Sequence, residues 1–233
     1  MQQYTYLLIN FFTIIICFIY SFDRRIKFNL HFKSYFLAAL IVAIPFIIWD
    51  IYFTKTGVWW FNYDYLTGFK IANLPIEEIL FFFCIPFSCV FTYYCLTKFF
   101  NLNWANAFST IIVFVTIITC SVISLLHYDK IYTFITALFT VITLIYLFFI
   151  KQKQWIGEAS FVYTILMLGF IPVNGILTGT GLENPIVNYN PKEFLGIRIL
   201  TIPIEDAVYG YALFLWNLYF FKLFYSKQNR TYH

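Results

Sequence analysis

The sequence predicts an all-α integral membrane protein: seven transmembrane helices, built as two parallel three-helix repeats joined by a linker helix. Three observations carry that prediction. Charged residues are only 11% of the 233-residue chain and hydrophobic ones 61%, where a soluble domain carries about 25% charged residues. Apolar runs of about 20 residues, the length that crosses a bilayer as a helix, recur at roughly 4–21, 34–54, 75–97, 108–126, 131–150, 160–178 and 200–222. Finally, Leu74-Pro75-Ile76-Glu77-Glu78 at the head of one run is restated as Ile202-Pro203-Ile204-Glu205-Asp206 at the head of another. None of the runs alternates with the short period of a barrel strand.

The first run lacks a basic start and a small-residue cleavage site, so it reads as a span rather than a removable signal peptide. It ends in the charged turn Ser21-Phe22-Asp23-Arg24-Arg25. The second carries Pro45, expected to kink it, then Trp49 and Asp50 near its outer end. The stretch from Thr54 to Asn73 is too polar and too punctuated to span; it reads as a re-entrant or interfacial loop, with Trp59-Trp60 as interface anchors. The third span starts at the first motif and ends near Lys98. The fourth, about Ala107 to Leu126, has no charge and no counterpart, which marks it as the linker. The fifth ends in Lys151-Gln152-Lys153. The sixth carries Pro172, Asn174 and Gly175 before a loop with Gly179 and Gly181. The seventh starts at the second motif and ends at Lys222.

The repeat rests on more than the motif. At one constant offset Asn62 meets Asn190, Gly68 meets Gly196, Ile71 meets Ile199 and Pro75-Ile76-Glu77 meets Pro203-Ile204-Glu205, with Glu78 opposite Asp206. Repeat 1 covers about 1–100, the linker about 101–128 and repeat 2 about 129–226, all within one membrane domain. A single intervening helix gives both halves the same orientation, so both motifs are expected at one depth on one side. Arg24, Arg25, Lys27, Lys33, Lys98, Lys151, Lys153, Lys222, Lys227 and Arg230 gather on the opposite side. The positive-inside rule then places the N-terminus outside and the C-terminus in the cytoplasm of a bacterium, within its cytoplasmic membrane. The net charge of +4 is no nucleic-acid signal. Five cysteines fall within spans without a Cys-x-x-Cys, as buried thiols do.

Acids in the first turn after a proline are an ordinary helix start. At the edge of hydrocarbon, however, a carboxylate is costly, by roughly 2.5–3.5 kcal/mol at the centre of a span and less near the interface. Asp50, Glu77, Glu78, Glu205 and Asp206 all fall in the outer thirds of spans, with no basic residue at matching depth. Carboxyls sharing an apolar pocket cannot all ionise. A neutral acid there can protonate an alkene, while an ionised neighbour steadies the carbocation and later takes a proton. Glu77, Glu78, Glu205 and Asp206 are the expected catalytic residues, with Glu77 and Glu205 first because they are identical between halves. Asp50, Asn62, Asn174, Asn190, Phe81 and Tyr209 are expected substrate contacts, the aromatic faces (with Phe82 and Tyr211) shielding the cation.

Other chemistries lack their residues. Three dispersed histidines make no histidine-rich di-iron centre, no Asp-Asp-x-x-Asp serves magnesium and diphosphate, no Gly-x-Gly-x-x-Gly serves a flavin, and the seventh span has no central lysine for retinal. No cofactor and no metal are expected.

The twofold Pro-Ile-Glu-Glu and Pro-Ile-Glu-Asp signature, each leading into an aromatic-rich span, resembles the heterodimer-type lycopene cyclases in their fused single-chain form. The resemblance covers essentially the whole chain. It implies cyclisation of the ψ-ends of lycopene to β-rings, giving β-carotene, with no net redox change and no flavin. It also implies a lipophilic polyene and the lipid bilayer as partners, with contacts to other carotenoid-pathway enzymes. Three other readings stay open: a membrane terpene cyclase acting on another polyprenoid, a carotenoid or lipid carrier, and a proton-coupled transporter.

Overall fold

The structure, a computed structural model, describes residues 2–231. Among them are seven helices long and apolar enough to cross a membrane. They are α1 (Thr5–Tyr20), α2 (Phe32–Thr56), α3 (Ile76–Phe99), α4 (Ser109–Leu126), α5 (Ile131–Leu144), α6 (Ile156–Leu177) and α7 (Ile204–Thr231). A π-helical turn over Ile145–Ile150 extends α5 to the expected end of its span.

The expected loop from Thr54 to Asn73 is more ordered than a re-entrant segment. Gly57, at φ 74°, ends α2 in the left-handed conformation that glycine adopts without a Cβ clash. The chain then forms β1 (Trp59–Phe61) and the small hairpin β2 (Lys70–Ile71) and β3 (Leu74–Pro75). The second half repeats this with β4 (Val187–Tyr189), β5 (Arg198–Ile199) and β6 (Ile202–Pro203). The seventh helix therefore starts at Ile204, after the β5–β6 hairpin, rather than at 200.

β1 and β4 pair with each other, antiparallel, with Trp59 opposite Tyr189, Trp60 opposite Asn188 and Phe61 opposite Val187. The Asn62 N–H donates to the Ile186 carbonyl and the Asn190 N–H to the Val58 carbonyl, both at 2.8 Å. The two loops thus meet over the end of the bundle through reciprocal bonds. Trp59 is not the interface anchor its composition suggested: it is 7% exposed, while Trp60 is 48% exposed.

Below the sheet, α3 packs on α1, α5 on α7, and α2 against both α3 and α7. One aromatic core lies beneath β1 and β4, around Tyr6, Phe53, Trp59 and Tyr132. A larger one fills the other end, around Phe28, Phe87, Phe91 and Phe221. At that end α6 begins at Ile156, earlier than expected, because its polar first turn is fully partnered. The N–H groups of Gly157 and Glu158 donate to Ser109 Oγ and Asn106 Oδ1, each at 2.9 Å. The Glu158 carboxylate accepts from the Tyr93 hydroxyl and lies 4.0 Å from Lys222 Nζ. A Cβ on Gly157 would stand 2.2 Å from the Ala105 carbonyl oxygen, so only glycine lets these turns touch.

Candidate active site

Each motif begins with a proline held in a two-residue hairpin, Pro75 opposite Lys70 and Pro203 opposite Arg198. The fixed φ of proline suits a helix start, and the acids that follow lie where the helix dipole favours negative charge. The next N–H groups fasten to equivalent loop carbonyls, Ile76 to Phe69 at 2.9 Å and Ile204 to Ile197 at 3.1 Å. Adjacent residues then point about 100° apart, so the two acids of each motif diverge.

The first acid of each pair turns to the loops. Glu77 Oε1 accepts the Thr67 N–H at 2.8 Å and the Thr67 hydroxyl at 2.6 Å. Glu205 Oε1 accepts the Leu195 N–H at 2.8 Å and the Thr133 hydroxyl at 2.6 Å. Both are buried, and each keeps Oε2 without a hydrogen-bond partner. Neither lines the large cavity of the bundle. The two acids expected first, Glu77 and Glu205, thus lie outside the cavity lining.

The second acid of each pair turns inward. Glu78, Asp206 and Asp50 line one cavity of about 410 Å³ whose remaining walls are mostly apolar and aromatic. The Tyr6 hydroxyl donates to Glu78 Oε2 at 2.6 Å. Asp206 accepts three donors: Tyr132 Oη at 2.5 Å, Tyr189 Oη at 2.8 Å and Asn174 Nδ2 at 3.2 Å. Asp50 accepts the Trp59 indole N–H at 2.5 Å, and its other oxygen is buried with no partner. Among the described residues none of the three acids has an ion-pair partner. Arg198 instead lies over the rings of Phe194 and Tyr189, at 4.8 Å and 5.7 Å. Burial, and then the neighbouring Asp206 carboxylate, hold the Tyr189 phenol well above the ordinary tyrosine range, so it stays a donor.

Of the expected substrate contacts, Asp50, Asn174, Phe81 and Tyr209 line this cavity. Asn62 and Asn190 do not: they shape the loops, each accepting from the N–H two residues on, of Asp64 and Lys192, at 3.1 Å. That is the Asx turn asparagine readily makes. Phe82 and Tyr211 also lie outside the lining, the latter bonded to Ser160 at 2.6 Å. Sequence reasoning missed Tyr6, Tyr132 and Tyr189. A signal for the first two existed: each stands near the start of the first helix of its half, at nearly the motif's own offset.

Fold and site together define an integral membrane protein whose acids are gathered at one end of an apolar cavity. The chain matches the lycopene cyclase family over residues 3–96 and 129–224 and belongs to that family. It is also similar to a bifunctional lycopene cyclase/phytoene synthase of Aspergillus niger, 33% identical over 60 residues. That match covers 26% of this chain and 10% of the relative, so the chain spans only a small part of the relative it matches. No solved structure matches the chain.

Proposed function

We propose that the protein closes the ψ-ends of lycopene into β-rings, giving β-carotene, by acid–base chemistry between Glu78 and Asp206. One observation carries this reading: the second acid of each motif faces the same mostly apolar cavity, held by phenols and, among the described residues, with no ion pair to a cation. A chamber of that kind favours one neutral and one charged carboxyl over two charges. Three donors on Asp206 favour its ionised form, whereas Glu78 has only the Tyr6 phenol. Glu78 is accordingly the acid and Asp206 the base.

Glu78 gives its proton to the terminal alkene of the polyene, leaving a tertiary carbocation. The next alkene in the chain attacks that centre, the ring-closing bond forms, and the charge moves into the new ring. Asp206, with Asp50 and the Tyr209 face, steadies the cation. Loss of a ring proton to Asp206 places the double bond of the β-ring. One proton enters and one leaves, so no oxidant or reductant is consumed. Glu77 and Glu205 are positioning residues that fix where the two helices begin. The two halves act as parallel repeats, each supplying one member of the acid–base pair, with the acids on the outer side and the C-terminus in the cytoplasm.

The test is expression in a lycopene-accumulating bacterium with pigment analysis. Cyclic carotenes are the expected product, with β-ring spectra. Unchanged lycopene, with the protein verified in the membrane, overturns the reading.

A further inference from the structure

Resting on that reading, we infer that the cavity is a blind groove which takes a linear polyene end-on from the lipid, through the seam between α1 and α6 at Gly169. One end of the polyene reacts per visit. The groove follows the helix axes. Its lining on α3 runs from Glu78 to Thr92, about 20 Å at 1.5 Å per residue. On the facing helix it runs from Leu177 back to Tyr163. The acids occupy one end only. That end is roofed by the paired strands, whose Trp59, Phe61, Val187 and Tyr189 all line the cavity.

The opening lies on the side. α1 packs on α3 and barely touches α6. Gly169 on α6 is the one lining residue that is exposed; the others are buried or half-buried. A Cβ built on Gly169 meets nothing within 4 Å, so the wall has a gap there that a side chain would fill without a clash. Its neighbour Leu168 is 77% exposed and is not part of the lining. The surroundings at this depth are hydrocarbon, and the groove is long, mostly apolar and without a charged side chain except at its blind end. A linear polyene fits that description, and a compact or charged ligand does not. With acids at the blind end alone, the trailing half of the polyene stays toward the seam. Closing a second ring therefore requires release and return in the opposite direction.

The experiment compares Gly169→Phe with wild type and with Leu168→Phe, which places the same ring one residue away, outside the groove. In lycopene-loaded liposomes Gly169→Phe is expected to slow cyclisation by on the order of tenfold to a hundredfold, the scale on which misplacing a substrate acts. Leu168→Phe is expected to match wild type. Monocyclic product is expected to appear first and to leave the protein before bicyclic product accumulates. Binding is read separately: a Glu78→Gln protein purified from lycopene-accumulating cells should carry the pigment, and Glu78→Gln with Gly169→Phe should carry much less. If Gly169→Phe cyclises and retains pigment like its parents, or if bicyclic product forms with no free monocyclic stage, the inference is overturned. If wild type leaves lycopene unreacted, the cyclase reading fails instead, and the pigment comparison still decides whether the groove binds a polyene through this seam.

Discussion

Glu77 and Glu78 are neighbours on one helix and have opposite surroundings, and the same holds for Glu205 and Asp206. Glu77→Gln keeps an oxygen that can accept both Thr67 bonds, so it should retain much of the activity. Glu78→Gln removes the proton itself and should lower cyclisation by on the order of 10²–10⁴-fold, the usual worth of a general acid. Asp206→Asn should fall in the same range. Initial rates of the four single variants Glu77→Gln, Glu205→Gln, Glu78→Gln and Asp206→Asn, at equal protein levels, check this ordering. Thr67→Val should act differently again: it strips one bond from a buried carboxylate, costs about 1–3 kcal/mol of stability, and shows as a lower melting temperature. The sequence made the acids visible because charge in an apolar span is conspicuous. It did not say which acid of each pair faces inward, because that depends on loop donors from Thr67 and Leu195, which no helix periodicity encodes.

At the scale of elements, seven apolar runs located seven helices, since a bilayer leaves the backbone few other ways to satisfy its hydrogen bonds. The errors fell where polar residues are paired by distant partners. The sixth helix starts before the apolar run at 160 because Tyr93 and Lys222, far away in the chain, stand beside Glu158 in its first turn. The β1–β4 pairing joins loops about 128 residues apart in the chain, so no local pattern announces it. Trp59 read as an interface anchor for the same reason, its partner Asp50 being visible only once α2 turns back at Gly57. Close packing at Gly157 supplies a prediction at this scale. Gly157→Ala places a Cβ 2.2 Å from a backbone oxygen and should destabilise the protein by about 1–3 kcal/mol, the range of overpacking. Thermal unfolding in detergent reads it directly, and an unchanged melting temperature would mean α6 and the turn before α4 do not meet as described.

For the whole molecule, the proposed division into repeats makes the linker a seam that tolerates a break. α4 packs mainly on α5 and α6, so it belongs with the second half. Pieces 1–100 and 101–233, expressed together in lycopene-accumulating cells, should restore cyclic product, while either alone should not, because each brings only one of Glu78 and Asp206. The motif repetition suggests this division, and the reciprocal bonds between the loops suit it. What the chain could not display was the groove, which is the space left between six helices rather than a property of any one. The central claim is that a carboxyl of the protein delivers a proton to the polyene. It is tested most directly by running the reaction in deuterated water and weighing the product. The account predicts one deuterium in each ring closed by wild type and ring closure slowed by on the order of 10²–10⁴-fold in Glu78→Gln. Wild-type product free of deuterium, or rings formed at the normal rate without the Glu78 acid, would contradict it.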